Sequence, residues 1–144
     1  MRTGQSRCAG IIMARPAEAT TPAPIKRGDN MRTARKVFDD HWDALMTGDM
    51  DGVLSDYAED ATFIRPGGRI GSGHDYISQV FAEIGASLDG FAFEQVSVTD
   101  DGAVVLLEWR GVHEDGRVAN GSDTFVIQDG TIRQQTLAYW VAPS

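Results

Sequence analysis

The run Asn120-Gly121-Ser122-Asp123-Thr124-Phe125-Val126-Ile127, followed directly by the turn Gln128-Asp129-Gly130, is the most informative part of the sequence. Its alternating pattern predicts a β-strand, and an Asp-Gly pair between two such runs is a strong hairpin signal. In this register Asp123 lies on the inward-facing side of the strand, together with Phe125 and Ile127. A carboxyl group in such a place is either paired with a partner or protonated and available for chemistry.

The same pattern extends outward on both sides of this strand. Two further Asp-Gly turns lie at residues 100–102 and 114–116, and all three turns separate β-like runs between residues 91 and 141. The sequence therefore predicts a four-stranded antiparallel meander at the C-terminal end of the chain.

Helical periodicity precedes this meander. Apolar residues recur at helical spacing over residues 33–46, a short helix is predicted over 50–57, and a third helix over 74–87. Residues 61–64 predict a short strand, and the glycine-rich residues 66–73 are expected to form a flexible lip over a cavity mouth. The predicted fold class is α+β: three N-terminal helices packed on a strongly curved, mainly antiparallel sheet, as a cone-shaped α+β barrel with one interior cavity.

The chain divides into a tail and one domain. Residues 1–30 combine Gly, Ala, Thr and Pro without apolar periodicity, which predicts a disordered tail, whereas residues 31–144 are predicted to form a single domain. Met31-Arg32-Thr33 repeats the opening Met1-Arg2-Thr3. We therefore consider Met31 as a hypothetical natural start.

Charge and cysteine content exclude several classes of function. Five basic and two acidic residues fall in residues 1–30, leaving eight basic and 19 acidic residues in the domain of a chain whose net charge is −8. Such a domain repels nucleic acid and anionic lipid, so neither is expected as a partner. Cys8 is the only cysteine, and no apolar run is long enough to span a membrane, so we expect a cytoplasmic protein.

No metal or organic cofactor is expected. The three histidines lie on separate predicted elements without the close spacing of a metal motif. The glycines of residues 66–73 match no phosphate-binding or dinucleotide-binding fingerprint.

Four motifs in order resemble the nuclear transport factor 2-like superfamily, in particular its SnoaL-like and ketosteroid isomerase branches. Residues 44–51 are similar to A-L-x-x-G-D-x-D, residues 57–63 to Y-A-D-D-A-x-F, residues 73–77 to G-x-x-A-I, and residues 123–132 to D-x-F-x-x-x-D-G-x-I. The resemblance covers roughly residues 33–141 and implies a SnoaL-like cone domain that pairs as a homodimer. The superfamily includes isomerases, cyclases, hydrolases, dehydratases and proteins without catalysis, so the fold alone does not set the activity.

The resemblance implies candidate catalytic residues. In the ketosteroid isomerase an aspartate base moves a proton, while a tyrosine and a protonated aspartic acid bind the oxyanion. Asp123 falls at the position of the protonated acid and His41 at that of the tyrosine. The isomerase base immediately precedes a proline, where this chain has Arg65. Because a guanidinium is no base near neutral pH, the isomerase mechanism is disfavoured.

The cyclase branch implies the opposite protonation state for the same carboxyl. In SnoaL-like cyclases an acid abstracts the proton and a histidine can assist, which resembles an ionised Asp123 helped by His113 or His41. Structural alternatives remain open for each residue. Asp123 could pair with Arg110 or Arg133, and the histidines could be structural or solvated.

Aromatic side chains predict an apolar cavity for a small hydrophobic ligand. The candidate ligand-binding residues are Trp42, Tyr57, Phe63, Arg65, Phe125 and Tyr139. Two functions remain: an enzyme that transfers a proton next to a carbonyl group, as an isomerase or polyketide-cyclase-like lyase, or a non-catalytic ligand-binding or dimerisation module.

Overall fold

The computed structural model describes residues 31–144, so the predicted tail of residues 1–30 lies outside the described residues. Three helices are present in this part of the chain: α1 (Ala34–Thr47), α2 (Met50–Ser55) and α3 (His74–Ser87). The strands are β1 (Tyr57–Arg65), β2 (Arg69–Ser72), β3 (Phe91–Asp100), β4 (Val104–His113), β5 (Val118–Gln128) and β6 (Thr131–Ala142). The predicted fold class, three helices packed on a curved sheet, is confirmed.

The helix ends follow from local capping. The Thr33 side chain accepts a hydrogen bond from the backbone N–H of Lys36, and α1 ends where Gly48 adopts a left-handed conformation. The Asp49 side chain caps α2 through the backbone N–H of Gly52. The predicted extension of α2 to Tyr57 is wrong, because Tyr57 already pairs with β6 as the first residue of β1.

The six strands form one sheet in the order β2-β1-β6-β5-β4-β3. The predicted antiparallel meander of β3 to β6 is confirmed, and β1 adds to it in parallel with β6. Residues 66–73 are not a flexible lip, since residues 69–72 pair with residues 62–65 of β1 at the outer edge of the sheet. Gly67 and Gly68 both have positive φ and make the turn between these strands.

A two-residue hairpin and a one-residue register shift together set the position of Asp123 opposite β6. Asp129 and Gly130 have φ angles of 55° and 76°, the combination that a type I′ turn between Gln128 and Thr131 requires. Beyond Ile127 the pairing with β6 shifts by one residue, so Asp123 lies opposite Leu137 on β6, and it lies opposite Leu107 on β4. All three side chains point toward the helices and are buried. The prediction that Asp123 faces the interior is confirmed.

The core lies between the concave face of the sheet and the helices. Phe38 of α1 packs edge-on against Phe125 of β5, with ring centroids 5.4 Å apart, and Ile77 and Val80 attach α3 to the same core. No helix within residues 31–144 is both long and apolar enough to cross a membrane.

Candidate functional site

An apolar cavity of about 360 Å³ lies between α1, α3 and the concave face of the sheet. Its apolar walls come from both helices and from the central strands, and they include Phe38, Trp42, Leu45, Phe81, Ile84, Leu107, Phe125 and Leu137. Four polar or partly polar side chains reach the same space from deeper in the domain: His41, Trp109, Asp123 and Gln135. A few polar groups in an apolar pocket of this size are typical of a small-molecule site.

Asp123 is the buried carboxyl group of this cavity and is only 6% exposed, whereas Asp89, which also lines the cavity, is exposed. The indole Nε1–H of Trp109 donates a hydrogen bond to its Oδ1 at 2.8 Å, and the amide Nε2–H of Gln135 donates to its Oδ2 at 2.7 Å. Both donors are neutral. No arginine, lysine or histidine of residues 31–144 forms a salt bridge with Asp123, because Arg110 contacts Glu94 and Arg133 contacts Asp60. The alternative of an Asp123–arginine pair is therefore wrong.

A glycine on β5 makes room for the indole that binds Asp123. Trp109 lies opposite Gly121 in the β4–β5 register, and a Cβ atom at Gly121 would approach the indole Cζ2 to 2.2 Å. Any side chain at this position would push the indole away. Gly121 thus allows Trp109 to lie flat across the strand and reach the carboxyl group two residues further along.

Burial raises the pKa of the Asp123 carboxyl from 3.8 to about 7, although the hydrogen bonds from Trp109 and Gln135 act in the opposite direction. The desolvation cost of an anion in the apolar cavity outweighs two neutral hydrogen bonds, because neither donor carries a full compensating charge. Both the ionised and the protonated carboxyl are therefore populated near neutral pH.

Behind Asp123 the polar contacts continue into the protein. The hydroxyl group of Tyr57 donates a hydrogen bond to Oε1 of Gln135, and its oxygen lies 3.3 Å from Nε2 of His41. Burial, with the nearby carboxylates of Asp123 and Asp56 adding to it, raises the pKa of the Tyr57 hydroxyl well above its ordinary value. Tyr57 consequently stays protonated at neutral pH.

The far end of these contacts is anchored by a carboxylate and an arginine. Nδ1 of the fully buried His41 lies 3.3 Å from Oδ2 of Asp56. Arg32 Nη1 donates to Oδ1 of Asp56 at 3.0 Å and also to Asp40, and Arg32 Nη2 donates to the carbonyl oxygen of Gly130 at 3.2 Å. We call the connected side chains Asp56, His41, Tyr57, Gln135 and Asp123 the buried polar chain. It links the cavity to the partly exposed Arg32.

The candidate residues that line the cavity are Asp123, His41, Trp42 and Phe125. Both ring nitrogens of His41 already face protein partners, Asp56 and Tyr57, so neither is directed at a ligand. His41 therefore supports the site from behind.

Three candidate ligand-binding residues do not line the cavity. Tyr57 lies behind its wall in the buried polar chain, Phe63 packs on Phe81 in the core at 5.9 Å, and the Tyr139 hydroxyl donates to Ser87 at 2.9 Å. Tyr139 nevertheless packs beside Trp109, with ring centroids 5.9 Å apart, and so supports the indole.

Two further candidates lie away from Asp123. Arg65 extends from the end of β1 to Glu83 on α3 at 2.8 Å, and its Nε has no hydrogen-bond partner among the described residues. His113 lies six positions along β4 from Leu107, roughly 20 Å in an extended strand, and accepts a hydrogen bond from the backbone N–H of Asp115 in the hairpin turn. Neither lines the cavity, so the geometry does not support His113 as a helper of Asp123.

Three site residues were not predicted from the sequence: Trp109, Gln135 and Asp56. Alternation from Leu107 would have placed Trp109 inward, and alternation backward from Leu137 would have placed Gln135 inward. A polar residue at a predicted inward position was thus the available signal for Gln135. Asp56 ends the short helix α2, where no periodic pattern indicates burial.

No group of three or more histidine, cysteine, aspartate or glutamate side chains in residues 31–144 is arranged to hold a metal ion.

A curved sheet closed by three helices around one cavity defines the class of nuclear transport factor 2-like α+β cone domains. Within that class, the chain belongs to the SnoaL-like domain family, whose model matches residues 38–135. No curated protein matches the chain.

Similar solved structures share this fold. An NTF2-like protein of unknown function from Burkholderia xenovorans is 21% identical, with a TM-score of 0.62 over 76% of this chain and 83% of that one. A proposed polyketide cyclase from Sinorhizobium meliloti is 20% identical, with a TM-score of 0.62 over 71% and 93% of the two chains. A proposed ketosteroid isomerase from Kribbella flavida is 15% identical, with a TM-score of 0.61 over 76% and 79%. At these identities the likeness establishes the fold.

Proposed function

We propose that the protein is a small-molecule enzyme that acts on a hydrophobic carbonyl compound by proton transfer, as an isomerase or a polyketide-cyclase-like lyase. Asp123 is the group that takes the proton and returns it. The observation that carries this proposal is a carboxyl group in the wall of an apolar cavity, bonded only to the neutral donors Trp109 and Gln135.

The protonation behaviour of Asp123 suits both halves of such a reaction. In its ionised form the carboxylate accepts a proton from the carbon next to the carbonyl, and the electrons of the broken C–H bond form an enolate. The protonated carboxyl then returns the proton to a second carbon in an isomerisation. In a cyclisation the enolate carbon instead attacks another carbonyl carbon of the substrate, and the resulting alkoxide takes the proton. A pKa of about 7 makes one carboxyl an effective base and acid at neutral pH.

The cavity walls support a flat, mainly hydrophobic substrate. Phe38, Trp42, Phe81 and Phe125 supply aromatic surface, and the volume of about 360 Å³ accommodates a molecule of a few fused rings or less. A carboxylate accepts more hydrogen bonds than the two that Trp109 and Gln135 provide. A carbon acid or hydroxyl group on the substrate can therefore approach Asp123 without displacing either donor.

His41 and Tyr57 contribute to this function by holding Gln135, and through it Asp123, in place. Each nitrogen of His41 and the hydroxyl group of Tyr57 faces a protein partner. They are positioning residues, and we leave His113 and Arg65 out of the proposed site.

Hydrogen–deuterium exchange next to a carbonyl group tests the proposal without knowledge of the natural substrate. Cyclic ketones and 1,3-dicarbonyl compounds that bind the protein are incubated with it in D₂O, and loss of the α-proton signal is followed by NMR. We expect catalysed exchange near neutral pH, and a loss of at least about a hundredfold in Asp123→Asn.

Asp60→Asn is the matched control, since it removes an aspartate whose side chain is 78% exposed. It should leave the exchange rate unchanged. Exchange that persists at the same rate in Asp123→Asn would refute the role of Asp123.

The second candidate is a ligand-binding module without catalysis. It is favoured by Arg65, which stands directly before Pro66, where the isomerase branch has its base, and which pairs with Glu83 outside the cavity. If ketones bind in the cavity and none of them exchanges a proton faster than in buffer, this second candidate is the function.

We also propose that two copies of the chain pair through the outer face of the sheet. Trp140 of β6 is 63% exposed there, and Leu106 and Val112 of β4 are exposed on the same face, beside the uncharged Asn120 and Ser122 of β5. A large exposed indole is a typical centre of a protein interface, and Glu108 and Arg110, which lie between Leu106 and Val112 on the same face, would add charged groups to it.

A further inference from the structure

We infer that the buried polar chain holds one proton that resides either on Asp123 or on Nε2 of His41. Asp123 is therefore ionised when His41 is a cation, and protonated when His41 is neutral. The inference concerns the resting protein and holds whether or not the cavity carries out the proposed reaction. It follows from counting which atoms of the chain can donate and which can only accept.

The two ends of the chain are fixed. The indole Nε1 of Trp109 can only donate, so Oδ1 of Asp123 always accepts. At the other end Asp56 forms an ion pair with Arg32 through Oδ1. Its Oδ2 therefore requires a proton on Nδ1 of His41. The variable positions are Oδ2 of Asp123, the Gln135 amide, the Tyr57 hydroxyl and Nε2 of His41.

When Asp123 is ionised, every hydrogen bond points toward it. Gln135 donates its Nε2–H to Asp123 and so turns Oε1 toward Tyr57, which must donate its only hydroxyl proton to that oxygen. The Tyr57 oxygen then has only lone pairs for His41, and the 3.3 Å contact is a hydrogen bond only if Nε2 carries a proton. Both nitrogens of His41 are then protonated, and the ring is a cation. The Gln135 amide in the structure has this orientation.

When Asp123 is protonated on Oδ2, every bond reverses. The new O–H needs an acceptor, so the Gln135 amide makes a half-turn and presents Oε1 to Asp123. Its Nε2–H now donates to the Tyr57 oxygen, and the Tyr57 hydroxyl proton points at Nε2 of His41. Nε2 must carry no proton of its own to accept this hydrogen bond. His41 is then neutral, with its proton on Nδ1.

The remaining two combinations each leave a buried hydrogen bond unmade. If both groups are protonated, the Tyr57 hydroxyl proton has no acceptor, since Gln135 and His41 both donate to its oxygen. If both groups have lost their proton, the lone pairs of Nε2 and of the Tyr57 oxygen face each other. His41 is fully buried, so solvent water does not replace the missing partner. The state with one shared proton is thus favoured over a broad pH range.

The surroundings of the chain contain few other titratable groups. On the His41 side the charged neighbours are Asp56, Arg32 and Asp40, and His74 of α3 bonds the backbone oxygen of Tyr57 through Nε2 at 3.0 Å. The ring of His41 otherwise contacts the aromatic rings of Phe81 and Phe125. On the Asp123 side the contacts are the neutral Trp109 and Gln135, and the exposed Asp89 is the other carboxyl group among the cavity-lining residues.

The variant Asp123→Asn provides a decisive test. The carbonyl oxygen of the introduced amide has to face Trp109, which can only donate, so its NH₂ group faces Gln135 and permanently imitates the protonated carboxyl. We expect His41 in Asp123→Asn to become neutral with its proton on Nδ1. Nitrogen-15 NMR of the full chain with labelled histidine measures this, and the ratio of cationic to neutral His41 should fall at least about tenfold at neutral pH.

Tyr57→Phe separates the hydrogen-bond chain from a direct effect of charge. Phenylalanine keeps the ring but breaks the connection between Gln135 and His41, so Asp123→Asn should leave His41 unchanged in this background. An equal fall in the Tyr57→Phe background would show that the charge of Asp123 acts through space and would overturn the inference. An unchanged His41 ratio in Asp123→Asn alone would overturn it as well.

The natural chain offers a test that needs no variant. Carbon-13 NMR of Asp123 and nitrogen-15 NMR of His41 give the protonated fraction of each group, and we expect the two fractions to add up to one across about pH 6 to 8. Independent titration of the two groups would refute the inference. No substrate is present in these measurements, so their outcome is independent of the exchange assay of the proposed function.

Discussion

Replacing Asp123 by asparagine should make the folded chain more stable than the natural one, by an amount that grows with pH. The folded carboxyl has a pKa of about 7 against its ordinary value of 3.8, because burial penalises the anion. For an acid with a raised pKa, the stability that it contributes is complete below about pH 4 and is lost as the pH rises through about 7. The difference corresponds to about 4 kcal/mol, at 1.36 kcal/mol for each pH unit.

Asparagine is close in shape to the protonated carboxyl and can satisfy both Trp109 and Gln135, so the two chains should be similarly stable near pH 4. Urea unfolding followed by far-ultraviolet circular dichroism, at several pH values from about 4 to 8, measures the difference in the free energy of unfolding. Subtraction removes the titration of groups that both chains share. Asp60→Asn, at an exposed aspartate, controls for the loss of one negative charge.

The refuting result is a difference between Asp123→Asn and the natural chain that stays constant over this pH range. It would mean that Asp123 ionises in the folded chain as it does in the unfolded one. The argument from desolvation, and with it the proposed base near neutral pH, would then be wrong.

Three other predictions follow from particular contacts. Gly121→Ala should destabilise the chain by about 1–3 kcal/mol in urea unfolding because the new Cβ would collide with Trp109, whereas Gly85→Ala, where nothing lies within 4 Å of the new Cβ, should not. Tyr57 should not ionise in the folded chain, so Tyr57→Phe should leave the alkaline rise in absorbance near 295 nm unchanged until unfolding. Trp140→Arg should convert a homodimer into a monomer in sedimentation equilibrium with an unchanged circular dichroism spectrum, and a natural chain that sediments as a monomer would contradict the proposed pairing.

Local patterns accounted for the meander and for the direction of Asp123. The Asp129-Gly130 turn needs two residues with positive φ, and it fixes the pairing of Gln128 with Thr131 next to the turn. The one-residue shift beyond Ile127 was not predicted, but it does not change which face of β5 each side chain occupies. Strand alternation then places Asp123 inward. Pairings between distant residues were beyond such patterns: β1 joins β6 in parallel, and residues 69–72 form an edge strand where glycine content predicted a flexible lip.

The sequence by itself determined that a carboxyl group at position 123 would face the interior of an α+β cone, because turn chemistry and alternation act within a few residues. Only the tertiary structure decided what that carboxyl group meets. Trp109, Gln135, Tyr57, His41 and Asp56 come from separate elements, and the packing of α1 against the sheet brings them into one hydrogen-bonded chain. The same packing leaves Arg65 and His113 outside the cavity. Contacts between elements depend on how the whole core fills its volume, which no local pattern encodes.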